Sequence, residues 1–146
     1  MQTSSSCISA AILSTDIETG TLQQMARALH DAGYSDVKTL PHLPDLRRSD
    51  DDDDFHLPEE LSDVRFVIID ESVGGRSAFE LEAILKASAE SAVLQTGVLL
   101  GASPHIDSSM LAAWSAGFDL CLVRERLDMG ELSNLSRQIL VHIKAE

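Results

Sequence analysis

The sequence predicts a doubly wound α/β domain, in which helices cover both faces of a five-stranded parallel sheet. Two observations support this fold class. Five short apolar runs alternate with amphipathic segments along the 146 residues, and the connections between runs are long enough for the crossovers that parallel strands require. The chain length suits one domain, so we expect residues 1–146 to fold as a single unit.

The apolar runs are the predicted strands, and their content of Val, Ile, Leu and Ala is typical of strands buried on both faces. They comprise Cys7–Leu13, Val37–Leu40, Arg65–Ile69, Val98–Leu100 and Leu120–Val123. In sheets of this kind, ligands bind beyond the carboxyl ends of the strands. The first candidates for a functional site are therefore the residues that close the strands, namely Asp16, Asp70, Ala102, Ser103 and Arg124.

Helical periodicity marks the connecting segments. Apolar residues recur at i, i+3, i+4 and i+7 between Leu22 and Leu29, and Gly33 is placed to end that helix in a left-handed conformation. Further helices are predicted around Phe79–Leu85, from an N-cap at Asp107 to Gly117, and along Leu132–Ile143.

Residues 41–58 interrupt this alternation. They contain three of the four prolines and the run Asp50–Asp54. Because like charges repel and extend the backbone, we expect a mobile loop here in place of a well-formed second helix. Consecutive aspartates cannot converge on one ion as the spaced ligands of an EF-hand do, which disfavours a calcium site.

Composition excludes several classes of function. The formal net charge is −13, and −8 remains when the five-aspartate run is left out. An acidic chain with no basic stripe and 4% aromatic residues is not expected to bind nucleic acid. The two cysteines, Cys7 and Cys121, form no CxxC motif, and no apolar run approaches the ~20 residues of a membrane span. We expect a soluble cytoplasmic domain with no membrane partner.

Three or four charged side chains point to metal or phosphoryl chemistry at one edge of the sheet. Asp70 closes the third strand, Asp16 closes the first with Glu18 as a further candidate, and Arg124 follows the fifth. Carboxylates at adjacent strand ends suit one Mg²⁺, and a nearby cation would help to neutralise a phosphoryl group. The alternative for Asp70 is a solvated carboxylate that begins a turn.

Other catalytic motifs are missing from the sequence. It has no GxxxxGK[ST] phosphate loop and no GxSxG elbow, and its five histidines lack zinc-type spacing. Few aromatic residues are available to sandwich a flavin. We therefore expect neither enzyme activity nor an organic cofactor.

Three segments resemble the receiver domain of bacterial two-component response regulators. They read RFVIIDESVGGRSAFELEAILK around Asp70, VLLGAS from Val98 and AAWSAGFDLCLVRERLDMGEL from Ala112. The last is similar to the family's Ala-Gly-Ala-Asp-Asp-Tyr-Leu-x-Lys-Pro segment. The resemblance covers nearly the whole chain, is weakest between Leu40 and Asp63, and implies a flavodoxin-like sheet with strand order 2-1-3-4-5.

The resemblance also implies a role for each candidate residue. Asp70 matches the phosphorylated aspartate, Asp16 matches one of the paired acidic Mg²⁺ ligands, and Arg124 falls at the phosphate-contacting lysine. Ser103 is the hydroxyl that would serve, after a one-residue shift, as the family's Thr or Ser after the fourth strand.

Four departures from the family pattern predict an atypical receiver. Cys121 stands in place of the switch aromatic and has no ring to rotate, and Gly101 and Ala102 replace the hydroxyl residue. Arg124 carries a planar guanidinium where the family has the compact ammonium of a lysine, and Glu125 adds a negative charge beside it. This leaves two alternatives. Either Asp70 is a phosphoacceptor whose phosphorylation is only weakly coupled to the partner surface, or the domain binds its partner without phosphate.

These features predict a stand-alone receiver that acts in two-component phosphorelay signalling through protein–protein interaction. The expected partners are a histidine kinase or phosphotransferase, a downstream regulatory protein, or a second copy of the chain. The expected partner face consists of the helix before the fifth strand, that strand and the last helix, and its marker residues are Trp114, Cys121, Arg124 and Arg126. The alternatives are a phosphorylation-independent docking or dimerisation domain of a larger regulator or assembly ATPase, and a flavodoxin-like small-molecule binding module.

Overall fold

The computed structural model describes residues 8–15, 19–41, 47–48, 55–56, 61, 64–73, 75–87, 94–101 and 104–145. Its main sheet consists of five strands, β1 Ser9–Leu13, β2 Asp36–Leu40, β3 Val64–Asp70, β4 Gln95–Leu100 and β5 Leu120–Val123. Counted in this way, the strands are ordered β2-β1-β3-β4-β5, and each strand runs parallel to its neighbours. The predicted fold class and strand order are confirmed.

Helices cover both faces of this sheet, as predicted. They are α1 Thr19–Ala32, α2 Ala78–Lys86, α3 Ile106–Ala116 and α4 Met129–Ala145. Helices α1 and α4 pack against each other and share one buried apolar cluster with Phe66 and Ile68 of β3. The other cluster joins Val67 and Ile69 to residues of α2 and to Ala113 of α3. Successive residues of β3 thus enter opposite cores, which explains its unbroken apolar sequence.

The register of β1 decides which residues meet at the carboxyl edge of the sheet. Leu13, the last residue of β1, pairs with Leu40 of β2 and with Ile69 of β3. The backbone N–H of Ser14 then donates to the carbonyl of Leu40. Ser14, the residue after β1, therefore lies beside Asp70 at the end of β3.

Strand β1 ends at Leu13, as predicted from its apolar run, so the residue that directly follows the strand is Ser14 and not Asp16 or Glu18. The start of the third helix differs from the sequence prediction. Helix α3 begins at Ile106 with His105 as its N-cap, so Asp107 is not the cap. Asp107 lies in the first turn, where a negative charge interacts favourably with the helix dipole.

Between β2 and β3, the described residues contain no α-helix. Arg47–Arg48 pairs antiparallel with Phe55–His56, and Leu61 lies in a turn of 3₁₀ type. The run Asp50–Asp54 lies outside the described residues, so the predicted mobile loop over 41–58 stays a prediction. None of the described helices combines the length and apolar character needed to cross a membrane.

Candidate functional site

Asp70 is a buried carboxylate at the carboxyl end of the central strand β3. Asp70 is 1% exposed, and it pairs with Leu99 of the neighbouring strand β4. A charged carboxylate held away from water is strongly unfavourable unless hydrogen bonds or an opposite charge compensate it. The donors around Asp70 therefore decide what this site can do.

Three donors from different parts of the chain hold both oxygens of Asp70. The hydroxyl of Ser14 donates to Oδ2 at 3.1 Å, and the backbone N–H of Glu71 donates to Oδ1 at 2.8 Å. The guanidinium of Arg124 donates to the same Oδ1 through Nη2 and forms an ion pair with it. Asp70 is thus paired with a cation that belongs to the chain itself.

Arg124 reaches Asp70 because the chain turns immediately after β5. Residues Arg124–Arg126 form a single 3₁₀ turn, and the side chain of Arg124 remains 38% exposed. Its Nε is buried without a hydrogen-bond partner within the described residues. The guanidinium is therefore anchored at one end by Asp70 and open to solvent in part.

A tight hairpin follows Asp70 and fixes the start of α2. Ser72–Val73 pairs antiparallel with Arg76–Ser77, and Gly75 adopts a φ of 85°, a left-handed conformation that favours glycine. The Ser77 hydroxyl then caps α2 by accepting from the N–H of Glu80 at 3.1 Å. Asp70 is consequently held between a buried strand and a hydrogen-bonded turn.

Glu71 joins this hairpin to the end of β4. Its backbone carbonyl accepts from the N–H of Ala78 at 3.0 Å, and its side-chain Oε1 accepts from the N–H of Gly101 at 3.3 Å. A β-carbon added at Gly101 would lie 3.1 Å from that oxygen. The absence of a side chain at position 101 therefore leaves room for the Glu71 carboxylate.

Of the site residues predicted from sequence, the structure brings Asp70 and Arg124 together. Asp16, Glu18 and Ser103 lie outside the described residues, and their predicted roles stay predictions. The sequence prediction missed Ser14 and Glu71. Ser14 directly follows Leu13, the last residue of β1, and Glu71 directly follows Asp70, the last residue of β3. Ser14 is the first residue after an apolar run, and this position in the sequence would have identified it.

Of the Mg²⁺ ligands that the resemblance implies, only Asp70 lies among the described residues, so the predicted Mg²⁺ site stays a prediction. No group of three or more His, Cys, Asp or Glu side chains among them is arranged to hold a metal ion. Asp70, the central acid, is already neutralised by Arg124. A guanidinium at this position repels a divalent cation, and it occupies one of the lone pairs of Asp70.

The residues that mark the predicted partner face are exposed to different degrees. Trp114 on α3 is 49% exposed and its neighbour Leu111 is 67% exposed. Arg126 is also exposed. Cys121 is half-buried against the α2–α3 core, where burial raises the pKa of its thiol. The large exposed apolar side chains of this face are Leu111 and Trp114 on α3, with Val141 apart from them on α4.

A second buried carboxylate, Glu82, lies on α2. Its residue is 5% exposed, and its Oε2 is 3.4 Å from where a β-carbon at Gly117 would stand. Burial raises the pKa of Glu82, nearby Lys86 lowers it in part, and the charge of Asp119 raises it further. This group is a source of pH-dependent stability.

Comparison with known proteins identifies the fold. No protein-family model and no curated protein matches the sequence. A response regulator receiver domain protein from Clostridium thermocellum is 16% identical, with 94% of this chain and 98% of that one aligned and a TM-score of 0.66. A CheY-like receiver domain protein from Methanospirillum hungatei JF-1 is 15% identical, with coverages of 96% and 98% and a TM-score of 0.66.

A third solved structure with this fold carries a different kind of name. It is a pilus assembly-related protein from Burkholderia pseudomallei K96243, 20% identical, with coverages of 94% and 92% and a TM-score of 0.61. At these levels of identity the likeness establishes the fold. The chain has the fold of response regulator receiver domains, as the sequence resemblance implied.

Proposed function

We propose that this chain is a receiver-type protein-interaction module of two-component signalling that works without phosphorylation of Asp70. The observation that carries the proposal is the ion pair between the buried Asp70 and Arg124. In this proposal the pair replaces the metal ion and phosphoryl group as the source of charge balance at the carboxyl edge. No catalytic step is part of the proposed role.

The chemistry of phosphoryl transfer supports this proposal. An aspartate becomes phosphorylated when a carboxylate oxygen attacks phosphorus, so that a P–O bond forms and the bond to the donor group breaks. That attack needs a free lone pair and a cation on the entering phosphoryl group. Oδ1 of Asp70 already accepts from Arg124 and Glu71, and Oδ2 accepts from Ser14. One lone pair, on Oδ2, remains free, but Asp70 is 1% exposed, so a phosphoryl donor has little access to it.

The experiment is an NMR titration of the ¹⁵N-labelled protein with beryllofluoride and Mg²⁺, a mimic of the aspartyl phosphate. We expect no saturable shifts in the amides of residues 70, 71, 101 and 124, because Asp70 keeps its internal partners. Asp70→Asn, which cannot take up the mimic, is the control. Saturable shifts in the wild type that vanish in Asp70→Asn would contradict the proposal.

The exposed surface of α3 supports a protein partner. Leu111 and Trp114 are one helical turn apart, and roughly half or more of each residue is exposed. Adjacent exposed apolar side chains of this size are typical of interaction surfaces. We propose that this surface, together with Arg126, contacts a second copy of the chain or a downstream regulatory protein.

A docking domain of an assembly protein is the second candidate function. The specific observation in its favour is the shared fold with the pilus assembly-related protein from Burkholderia pseudomallei. The two candidates differ in the class of partner. Cross-linking through the α3 surface in cells would yield a second copy of the chain or a downstream regulatory protein under the first function, and an assembly component under the second.

A further inference from the structure

Glu71 makes three contacts that join separate elements at the carboxyl edge. Its N–H donates to Asp70, its carbonyl accepts from the first residue of α2, Ala78, and its carboxylate accepts from Gly101 after β4. The residue is itself exposed, so burial does not force the side chain into this position. The hydrogen bond to Gly101 is what directs it across the edge.

The Glu71 carboxylate lies between two strand ends. Glu71 directly follows Asp70 at the end of β3, and its carboxylate accepts a hydrogen bond from the N–H of Gly101, the residue after β4. Backbone N–H groups at strand ends are donors that an anion can use. Glu71 therefore places its own carboxylate on such a donor at the edge that carries Asp70.

We propose that Glu71 is a positioning residue, an internal anionic latch that holds the end of β4 against the end of β3. The latch rests on the proposed function and deepens it, because it explains how the β4 end is fixed without a phosphoryl group. The glycine at position 101 belongs to the latch, since a β-carbon there would crowd the carboxylate oxygen at 3.1 Å.

The latch bears on the interaction surface through the chain that follows Gly101. Four residues separate Gly101 from the start of α3 at Ile106, the helix that carries Leu111 and Trp114. Holding Gly101 therefore fixes the first residue of that connection. Trp114 is the only tryptophan of the chain, so its fluorescence reports on α3 alone.

The experiment compares amide hydrogen exchange and phosphate binding in Glu71→Ala, Glu71→Gln and the wild type. Glu71→Ala should raise the exchange rate of the Gly101 amide about tenfold, the effect of losing one charge-assisted hydrogen bond. Amides inside β4, such as that of Leu99, should keep their protection. Glu71→Gln should restore protection at Gly101, because its side-chain carbonyl accepts a hydrogen bond in the same place.

Inorganic phosphate provides a readout that a merely structural role would not change. Leu100 pairs with Val123, so Gly101 and Arg124 are the next residues of neighbouring strands. In Glu71→Ala the freed N–H of Gly101 and the partly exposed guanidinium of Arg124 are donors at the same edge, so phosphate should shift the Gly101 resonance and the emission of Trp114.

The wild type should show neither shift, because Glu71 already takes up the Gly101 N–H. The matched control is Glu80→Ala, which removes an exposed glutamate paired with Arg76 at 3.8 Å. That variant should also show neither shift, although it loses the same charge as Glu71→Ala.

Two results would overturn the latch. One is an unchanged Gly101 exchange rate in Glu71→Ala, and the other is a uniform loss of protection across the sheet. If either result is found and the wild type does not respond to beryllofluoride and Mg²⁺, the latch is refuted and the proposed function stands. A wild-type response to beryllofluoride would instead refute the proposed function.

Discussion

At the level of single residues, the site is organised around the charge balance of Asp70. A 1% exposed carboxylate is tolerated because Arg124 supplies an opposite charge and Ser14 and Glu71 supply hydrogen bonds. The sequence alone predicted that Asp70 and Arg124 lie at one edge, because each follows or closes a strand of a parallel sheet. It did not predict the role of Ser14, because side-chain direction after a strand end depends on the pairing register and not on local periodicity.

Glu82 provides a prediction at this level that is independent of the Asp70 site. Its folded-state pKa is raised above 4.5 by burial, so the folded protein is relatively more stable when Glu82 is protonated. That stabilisation is complete below pH 4.5 and is lost as the pH rises through the folded-state pKa. Glu82→Gln should therefore be more stable than the wild type at neutral pH and equally stable in acid.

Urea unfolding at a series of pH values measures this difference. The control is Glu80→Gln on the same helix, which is exposed and should show no comparable gain at neutral pH. A Glu82→Gln variant that is less stable than the wild type at neutral pH would show that the ionised carboxylate makes a favourable contact.

At the level of helices and strands, apolar periodicity predicted the elements because both faces of the sheet are buried. The errors lie at element ends, where backbone hydrogen bonds decide the boundary. Strand β4 begins at Gln95, earlier than its apolar run, and there the N–H of Thr96 donates to the carboxylate of Asp119 at 3.0 Å. The hydrogen bond between Glu71 and Gly101 joins residues 30 positions apart, and no local pattern encodes it.

Two glycines, one inside α1 and one just after it, give a prediction about this helix. Gly33 has a φ of 120°, and a β-carbon there would lie 2.7 Å from Cδ2 of Leu140 on α4. Gly33→Ala should therefore lower the free energy of unfolding by about 2 kcal/mol, from backbone strain and the clash between α1 and α4. A β-carbon at Gly20 would have no atom of the described residues within 4 Å, so Gly20→Ala should raise the free energy of unfolding by about 0.5 kcal/mol.

Chemical denaturation of both variants tests this pair. Equal stability of Gly33→Ala and the wild type would mean that the turn after α1 relaxes to accept a side chain. Destabilisation by Gly20→Ala would mean that the first turn of α1 is not a regular helix.

At the level of the whole protein, the acidic surface and the apolar part of α3 act in opposite directions. A net charge of −13 opposes the approach of two copies, and added salt screens that repulsion. Leu111 and Trp114 favour association through burial of apolar surface. The balance predicts weak self-association that strengthens with ionic strength.

Light scattering at increasing protein and salt concentration measures this association. Leu111→Ser combined with Trp114→Ser should abolish it and should change the free energy of unfolding by less than about 1 kcal/mol, because both residues already contact water. Val141→Ser is the matched control, since Val141 on α4 is 64% exposed. Equal loss of association in Val141→Ser would argue against a specific α3 surface.

The proposed function and the latch both depend on the pairing of Asp70 with Arg124, and a double-mutant cycle of Asp70→Asn and Arg124→Met measures that pairing. The measured quantity is the free energy of unfolding in urea without divalent cations. We expect the two residues to couple favourably by about 2 kcal/mol, since Arg124→Met leaves the carboxylate of Asp70, which is 1% exposed, without its counter-charge. A coupling energy near zero would refute the pairing, because the two groups would then not be partners in the folded protein.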